Sequence, residues 1–539
     1  MSVVSEVEQE SEPDDEPLVE PLAAPTEGAP HKYLIAFAVV LAALMQVIDS
    51  SIVNVALPDM MGNLGASLDE IAWVSTGYIL ASVIIIPLTG WLGEFFGRKR
   101  YFVGSIILFT IASFLCGASH SLSALVFWRI IQGLGGGALM TVSQAVLFES
   151  FPRKEAGTAM ALFGLGVMVG PTIGPTLGGW LTDNYGWPWI FYVNLPVGIL
   201  AAVMIIGYVH DPEFQVRPRT IDYIGIALLA VSVGSLQYLL EQGQREDWFD
   251  SRLMILLAFS GIVTGILLVW REMTVDDPVI DFRVLRHRQM WVGTLLGVVM
   301  GVGLYASVFT LPVFLQGNLR MTAQQTGIVL LPGALATAVS MAVVGRLTNK
   351  VDARALITIG ALLFAGAMIR LSRITGESGS TDFFWSLIMR GVGLGMMFVP
   401  LTTITLAELS PRELGQGSGL YNFFRQLGGS LGIAAIATLL SHYTAQFRAI
   451  LAEHISVGDA ATIGRVEMLT RALVARGADP WTAHARALEI LDSQLMAQAS
   501  VIAYSRIYIL SAVLILALIP LLVLIRHTKP SAGTQHIME

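Results

Sequence analysis

Two ionisable residues stand out because each lies deep in an apolar segment, where a charge is costly. Asp49 is the only acid in the apolar run at 33–57, and Arg129 lies in the run at 123–147. An ionised carboxylate in mid-membrane costs about 3 kcal/mol or more unless it is paired. At the rise of a helix, Asp49 lies roughly 13 Å and Arg129 roughly 10 Å from the outer end of its run. The two charges are therefore expected at matching depths.

A carboxylate and a guanidinium at one depth can carry out proton chemistry. Protonation of Asp49 would release Arg129, and deprotonation would recapture it, which amounts to a proton-coupled switch. A static ion pair, or a carboxylate that caps a distorted outer turn, would explain the same residues. Arg390 occupies the corresponding depth of a later run, but no acid in the run at 290–316 mirrors Asp49. We therefore expect the proton chemistry in the first half of the chain.

Charged residues also occur in a tight turn, "GEFFGRKR" at 93–100. A carboxylate in such a turn can bind a neighbouring arginine and a helix N-terminus, and so latch one conformation. We assign this gating latch to Glu94, Gly97, Arg98 and Lys99. Membrane topology alone would explain the basic residues but not Glu94.

A third deep cation is Arg425, in "NFFRQLGG" at 422–429. It could hold a network between helices or meet an anionic substrate. Glu149 and Glu408, at the inner ends of their runs, are more typical of caps or partners of loop arginines than of proton carriers.

The stretch "GVMVGPTIGPTLGG" at 166–179 places a glycine at every fourth position of an apolar run. Residues in that spacing share one helix face, and small ones let another helix approach to backbone contact. Each proline removes an N–H and bends the helix at a fixed place. We predict a bent, side-chain-poor wall that rocks against its partner, although simple packing would also favour glycines. The motif comprises Gly166, Gly170, Pro171, Gly174, Pro175, Gly178 and Gly179.

Constellations for enzyme chemistry or nucleotide binding do not emerge from the sequence. The nine histidines are scattered among loops and tails, and "GLGGG" at 133–137 is not followed by the lysine of a phosphate-binding loop. We expect no metal, no cofactor and no nucleic-acid partner, and a proton gradient as the source of energy.

The elements that must position these residues are membrane helices. Hydrophobic residues make up 54% of the 539-residue chain and charged residues only 13%, against about 25% charged in soluble domains. Continuous apolar runs of about 20 residues each suit a helix that crosses the bilayer. We predict an all-α integral membrane protein with fourteen spans, near 33–57, 70–92, 101–118, 123–147, 157–181, 188–209, 222–241, 252–271, 290–316, 323–345, 355–373, 384–407, 416–440 and 504–526.

Basic residues predict the orientation of the spans. Short loops rich in Lys and Arg, such as "FGRKR" and "FPRKE", alternate with short loops that lack them, such as "TDNYGWPW". The positive-inside rule then places both termini in the cytoplasm. We expect residues 1–32 to form a disordered acidic tail and 527–539 a short cytoplasmic tail.

The chain repeats itself, which predicts its domains. "GWLGEFFGRK" at 90–99 returns as "GRLTNKVDAR" at 345–354, and "ESFPRKEAG" at 149–157 returns as "ELSPRELGQG" at 408–417. Two parallel six-helix repeats with an extra hairpin give a 6 + 2 + 6 arrangement. The predicted units are a first bundle at 33–210, a two-helix insertion at 211–288 and a second bundle at 289–526. A long outer loop at 441–503 shows apolar spacings that favour two short amphipathic helices.

Several motifs together resemble the major facilitator superfamily, in its fourteen-span drug:proton antiporter branch of the EmrB/QacA type. "GWLGEFFGRKR" is similar to the cytoplasmic loop signature, "LVFWRIIQGLGGG" to the fourth-helix signature, and the 166–179 stretch to the fifth-helix antiporter signature. "VIDSSIVNVALP" and "WPWIFYVNLPVG" complete the resemblance. It implies a major facilitator fold whose first and fourth spans line a central cavity, so that an Asp49–Arg129 pair can form.

The implied cavity is largely apolar with sparse polar groups, which suits amphipathic molecules. Its predicted lining is Tyr78, Gln132, Tyr305, Phe309, Gln316, Asn422, Phe423 and Arg425. The resemblance further implies a bacterial inner-membrane exporter of drugs, driven by protons, and in a two-membrane cell a periplasmic adaptor leading to an outer-membrane channel. An exporter of one physiological solute, such as a fatty acid or siderophore, is an alternative, and a polytopic lipid enzyme is a weaker one.

Overall fold

The computed structural model describes residues 30–210, 221–348, 350–410, 413–453, 455 and 459–525. Both predicted tails fall almost entirely outside these residues, as does most of the linker after the sixth span. The described chain is helical throughout. Its helices are α1 (Lys32–Leu64), α2 (Leu68–Phe96), α3 (Arg98–Gly117), α4 (Leu122–Ser150), α5 (Ala156–Tyr185), α6 (Trp189–Tyr192), α7 (Asn194–Tyr208), α8 (Tyr223–Gln242), α9 (Arg252–Thr274), α10 (Arg288–Gly317), α11 (Ala323–Leu347), α12 (Ala353–Leu371), α13 (Ser380–Ala407), α14 (Leu414–Ala452), α15 (Ala460–Val474), α16 (Pro480–Leu516) and α17 (Leu518–Leu521).

Within these described ranges, thirteen helical segments are long and apolar enough to cross a membrane. Helix α5, with 30 residues, has the length of a span and supplies the fourteenth. Short α6 and α7 together form the sixth span, and α16 and α17 the last. The all-α, fourteen-span prediction is therefore confirmed.

Local sequence signals explain where the helices begin and turn. Ser67 and Glu70 form a reciprocal capping box at the start of α2, which satisfies backbone donors that the first turn leaves free. At the other end of α2, Gly97 alone connects α2 to α3, with φ 91°. That backbone conformation strains any residue with a Cβ.

The helices form two bundles, α1–α7 and α10–α17, with the α8–α9 hairpin packed on α2 and α14. We call the end of the molecule that carries Gly97 and Glu155 the basic-loop face, and the other end the opposite face. Helix α9 presents apolar side chains outward, including Phe259 and Ile266, which are 69% and 65% exposed. Such a surface suits lipid rather than water.

The two bundles contact each other at the basic-loop face. A Cβ added to Gly157 of α5 would meet the carbonyl of Gly345 in α11 at 2.5 Å, and one on Gly90 of α2 would meet Gln416 of α14 at 2.8 Å. The Asn422 amide of α14 also donates a hydrogen bond to Gln144 Oε1 of α4. At this face the bundles therefore pack to backbone contact.

Helices replace much of the long loop expected at 441–503. Helix α14 continues to Ala452 and α16 begins at Pro480, because both segments lack internal glycine and proline breaks there. The first predicted amphipathic helix is α15. The second is not separate but forms the first turns of α16.

Candidate functional site

At the centre of the first bundle, buried polar side chains form a hydrogen-bonded network around Asp49. Arg129 Nη1 donates to Asp49 Oδ2 at 2.6 Å, and both side chains are buried, at 1% and 0% exposure. On the other carboxylate oxygen, Asp49 Oδ1 accepts from Gln132 Nε2 and from Asn194 Nδ2, each at 2.9 Å. A buried carboxylate that accepts charge-assisted bonds from three side chains is held in a defined orientation.

The guanidinium of Arg129 has further partners. Its Nη1 also donates to Gln132 Oε1 at 2.7 Å, and its Nε donates to the Val74 carbonyl of α2 at 3.0 Å. The ring of Tyr78 lies 4.2 Å from the guanidinium carbon, a distance at which the ring face attracts a cation. Breaking the Asp49 pair would thus leave Arg129 partly supported by neutral groups.

Four helices position this network, and small residues let them do so. Glycines at 133–137 bring α4 against α2 and α3: a Cβ on Gly135 would meet the Ser105 carbonyl at 2.8 Å, and one on Gly136 the Tyr78 hydroxyl at 2.6 Å. This close approach brings Arg129, one turn earlier on α4, within reach of the Val74 carbonyl. "GLGGG" is therefore a packing element.

Asn194 is a site residue that the sequence reasoning missed. It lies where the sixth span is interrupted between α6 and α7, and its Nδ2 also donates to Ser113 Oγ at 3.0 Å. Ser113 Oγ in turn donates to the Phe191 carbonyl at 2.9 Å. The signal was present, because Asn194 is an amide in an otherwise apolar span, inside the quoted motif "WPWIFYVNLPVG".

The glycine face of α5 packs directly on α1, the helix that carries Asp49. An added Cβ would meet Val40 at Gly166, Val47 at Gly170, Ser51 at Gly174 and Ile52 at Gly178. Gly179 is less confined, since the nearest atom to its added Cβ is 3.8 Å away. Pro171 and Pro175 lie inside the continuous α5. Helix α5 thus touches α1 on both sides of Asp49.

The predicted latch residues lie at the basic-loop face. Arg98 forms an ion pair with Glu149 at the end of α4, and Lys99 Nζ donates to the Ile206 carbonyl at 2.7 Å. The Glu94 carboxyl lies near the guanidinium of Arg98 and faces Gln416, at the start of α14. Glu94 therefore adjoins the second bundle, and so does Arg98, whose Nη2 would lie 3.2 Å from a Cβ added to Gly415 of α14. Their gating role stays a prediction.

The eight predicted cavity residues separate into several places. Tyr78 and Gln132 belong to the Asp49 network. Asn422 and Arg425 lie at the contact between bundles, where Arg425 Nη2 donates to Asn422 Oδ1 at 3.0 Å and contacts Met140 Sδ at 3.3 Å. Phe423 packs against an apolar cluster that includes side chains of α2, α8 and α9.

The remaining three lie nearer the opposite face. Tyr305 donates to Gln426 Oε1 at 2.9 Å, and Gln316 is exposed. Phe309 lines a cavity of about 590 Å³ between α10, α14 and α16, together with residues such as Leu440, Arg448 and Met496. A common substrate cavity for all eight stays a prediction.

Arg390 of the second bundle repeats the position of Arg129 with different partners. Its Nη1 donates to Ser307 Oγ at 3.2 Å and approaches the Ser307 carbonyl at 3.4 Å. Arg390 is only 8% exposed, and no ion pair with it is found in the described part of the chain. Ser307 thus contacts Arg390 much as Asp49 contacts Arg129, but without a carboxylate.

Comparison with known proteins identifies the family. The family model of the Major Facilitator Superfamily matches residues 39–433. The multidrug export protein EmrB of Escherichia coli (strain K12) is 37% identical over 435 residues, which cover 80% of this chain and 84% of that protein. EmrB of Haemophilus influenzae is 34% identical over 505 residues, covering 93% and 97%. The fatty acid resistance protein FarB of Neisseria gonorrhoeae is 32% identical over 514 residues, covering 95% and 99%.

A solved structure agrees on the fold. The human organic anion transporter MFSD10 matches with a TM-score of 0.57 at 15% identity, over 90% of this chain and all of that one. The family match and the export-protein relatives show that the chain is a multi-span membrane transporter and not an enzyme. It belongs to the Major Facilitator Superfamily, in the branch of the EmrB-type export proteins.

Proposed function

We propose that the protein is a multidrug exporter that exchanges amphipathic compounds for protons across a bacterial cytoplasmic membrane. The observation that carries the proposal is the Asp49–Arg129 pair, which places a buried carboxyl beside a guanidinium at the centre of the first bundle. Relatives that cover most of the chain are named for multidrug export. No cofactor is invoked, because the proton gradient suffices: one charge crossing 100 mV yields about 2.3 kcal/mol, which supports a roughly fifty-fold drug gradient.

The proposed mechanism uses the geometry of the two bundles. By the positive-inside rule the basic-loop face is cytoplasmic, as are both termini. Since the bundles pack together at that face, the conformation described here is closed to the cytoplasm. Protonation of Asp49 from outside would weaken its hold on Arg129, and the α1–α5 wall could then move against its neighbours. Return of Asp49 to the ionised state would discharge the proton inward.

The test measures proton movement in proteoliposomes that carry a pH dye inside. Tetraphenylphosphonium, an amphipathic cation, serves as the substrate. We expect its addition to drive a proton flux that Asp49→Asn abolishes and that Asp59→Asn, an exposed acid on the same helix, leaves intact. Equal fluxes in the wild type and Asp49→Asn would refute coupling at Asp49.

A second candidate is export of a fatty acid or another amphipathic acid. The similarity to FarB favours it, and so does Arg390, a buried cation whose described contacts include no carboxylate. Replacing tetraphenylphosphonium with a long-chain fatty acid in the same liposomes distinguishes the two. Flux with the acid and none with the cation would favour this narrower function.

We further propose that the helices beyond the opposite face bind a periplasmic adaptor that leads to an outer-membrane channel. The outer turns of α14, α15 and the first turns of α16 form the surface involved. Exposed apolar side chains there include Met468 and Trp481, at 59% and 85%. Small amphipathic substrates, protons and the lipid bilayer are the other proposed partners.

A further inference from the structure

The two-helix insertion is fastened to α2 near the opposite face through a polar contact. Thr76 Oγ1 of α2 donates to Glu241 Oε1 of α8 at 3.1 Å, and Gln242 Nε2 donates back to Thr76 Oγ1 at 3.3 Å. The rings of Trp73 and Tyr238 meet at 5.6 Å beside it. Glu241 is thus an acid held between α8 and a helix of the Asp49 site, and the proposed mechanism does not use it.

Two oxygens in this contact are buried without a hydrogen-bond donor. Glu241 Oε2 and Gln237 Oε1 have no partner in the described part of the chain, and Gln237 is only 3% exposed. The two residues are four apart on α8, so they share a helix face, and the Gln237 side chain lies close enough to the Glu241 carboxyl for a hydrogen bond. A buried acceptor left unpaired is destabilising, and an unpaired buried carboxylate is more so.

Within the described residues, no cation forms an ion pair with the Glu241 carboxylate. Arg245, one turn further along the chain, forms an ion pair with Asp69 of α2 instead. Arg425 of α14 contacts Asn422 and Met140. The other titratable groups on α2, α8, α9 and α14, and Glu246 in the turn after α8, lie at helix ends, are exposed, or are aromatic hydroxyls: Glu70, Tyr78, Glu94, Tyr223, Tyr238, Glu246, Arg252, Arg271, Glu272, Tyr421, His442, Tyr443 and Arg448.

One hydrogen atom satisfies both oxygens. We propose that Glu241 binds a proton in this conformation, as a carboxylic acid whose Oε2–H donates to Gln237 Oε1, and that the α2–α8 contact is a second proton-binding site. The Thr76 bond to Oε1 is retained in this form. The step is a simple protonation, in which the carboxylate takes up H⁺ and forms one O–H bond.

Helix α2 connects this site to the first one. Its Val74 carbonyl accepts from Arg129 Nε at 3.0 Å, two residues before Thr76. Any movement of α2 relative to α8 would open the contact, admit water to Glu241 and favour loss of its proton. This coupling to transport rests on the proposed function, whereas binding of the proton does not.

Infrared difference spectroscopy of the purified protein tests the proton directly. At neutral pH, the wild-type minus Glu241→Gln spectrum should contain the C=O stretching band of a protonated carboxyl, shifted in D₂O. The matched control, Glu246→Gln on an exposed neighbour, should yield no such band. Gln237→Leu should move the band without removing it, because the acid loses its acceptor. If Glu241→Gln does not fold, the Gln237→Leu shift alone decides.

Absence of the protonated-carboxyl band from both the Glu241→Gln and the Gln237→Leu comparisons would overturn the proposal. A transport measurement then tests the coupling: the reversal potential of tetraphenylphosphonium flux should indicate one proton fewer per cycle in Glu241→Gln than in the wild type. An unchanged count would refute the coupling and leave the infrared result standing. Failure of the Asp49→Asn test would instead refute the proposed function without affecting the band.

Discussion

Single residues explain why each group of the Asp49 network has hydrogen-bond partners, and why the sequence revealed only part of the network. Matching depths indicated the Asp49–Arg129 contact, because depth follows from helix rise alone. The roles of Gln132 and Asn194 depend on which way each helix faces and on the break between α6 and α7. Neither is encoded in periodicity. The assignment of Tyr78 and Gln132 to a cavity lining likewise followed from the resemblance and not from geometry.

The repeat relates Arg129 to Arg390, but one residue makes their surroundings differ. Ser307 offers Arg390 a hydroxyl and a carbonyl, where Arg129 meets a carboxylate. Arg390 stays protonated at any ordinary pH, and a serine hydroxyl does not titrate there either, so the Ser307–Arg390 contact cannot be switched by a proton. That proton chemistry belongs to the first bundle stays a prediction.

A pH-dependent contact outside the membrane offers a test at the residue scale. Burial alone would raise the pKa of Glu413, but hydrogen bonds from the Ser410 backbone and hydroxyl and from His287 outweigh it and lower the pKa. A lowered pKa means that the stabilisation is present above the unfolded value and is lost as the pH falls through the folded one. We expect Glu413→Gln to lower the melting temperature at neutral pH, and the difference from the wild type to vanish in acid.

The control for this prediction is Glu453→Gln, at the far end of α14, which should show no pH-dependent difference. A constant difference between the wild type and Glu413→Gln at every pH would show that the carboxylate charge is not responsible. Because the site is partly exposed, we expect the effect to be small, about 1 kcal/mol or less.

Among the elements, α5 shows how poor helix formers become useful in a membrane. The prediction of a close helix contact depended on the four-residue spacing of its glycines, and α1 occupies that contact. What the sequence could not indicate was the identity of the partner helix. The continuity of α16 could not be predicted either, because the change from amphipathic to fully apolar character resembles a boundary although the backbone has no break there.

Adding one methyl group to the α1–α5 contact tests its role. A Cβ at Gly170 would lie 2.6 Å from Val47 Cγ1, whereas one at Gly179 has its nearest neighbour at 3.8 Å. We expect Gly170→Ala to cost about 1–3 kcal/mol of stability and most of the tetraphenylphosphonium flux, and Gly179→Ala to behave as the wild type. Equal behaviour of the two variants, measured by thermal unfolding and flux, would contradict a specific α1 contact.

For the whole molecule, the contact between the bundles at the basic-loop face, which we call the seam, should control which conformation predominates. Fourteen spans, their repeat and the inserted hairpin could be predicted, because each follows from hydropathy and internal similarity. The seam itself could not, since it depends on packing between segments far apart in sequence. At the seam, the Gly345 carbonyl lies directly against the Cα position of Gly157.

Gly157→Ala should therefore disfavour the closed seam and shift the population toward a conformation that opens at this face. Distances between spin labels on α4 and α13 at that end of the molecule should lengthen or broaden. Gly104→Ala, whose added methyl meets nothing within 4 Å, is the control and should match the wild type. An unchanged distance distribution in Gly157→Ala would show that the seam does not set the equilibrium.

Helix α14 takes part in that seam through Asn422 and also rises well past the opposite face. Its 39 residues make an unbroken rod about 58 Å long. A tilt of about 10° about its inner end would carry its far tip sideways by roughly 10 Å. A protein bound to the tip of α14, outside the bilayer, would therefore respond to whether the contact between the bundles at the basic-loop face is open or closed.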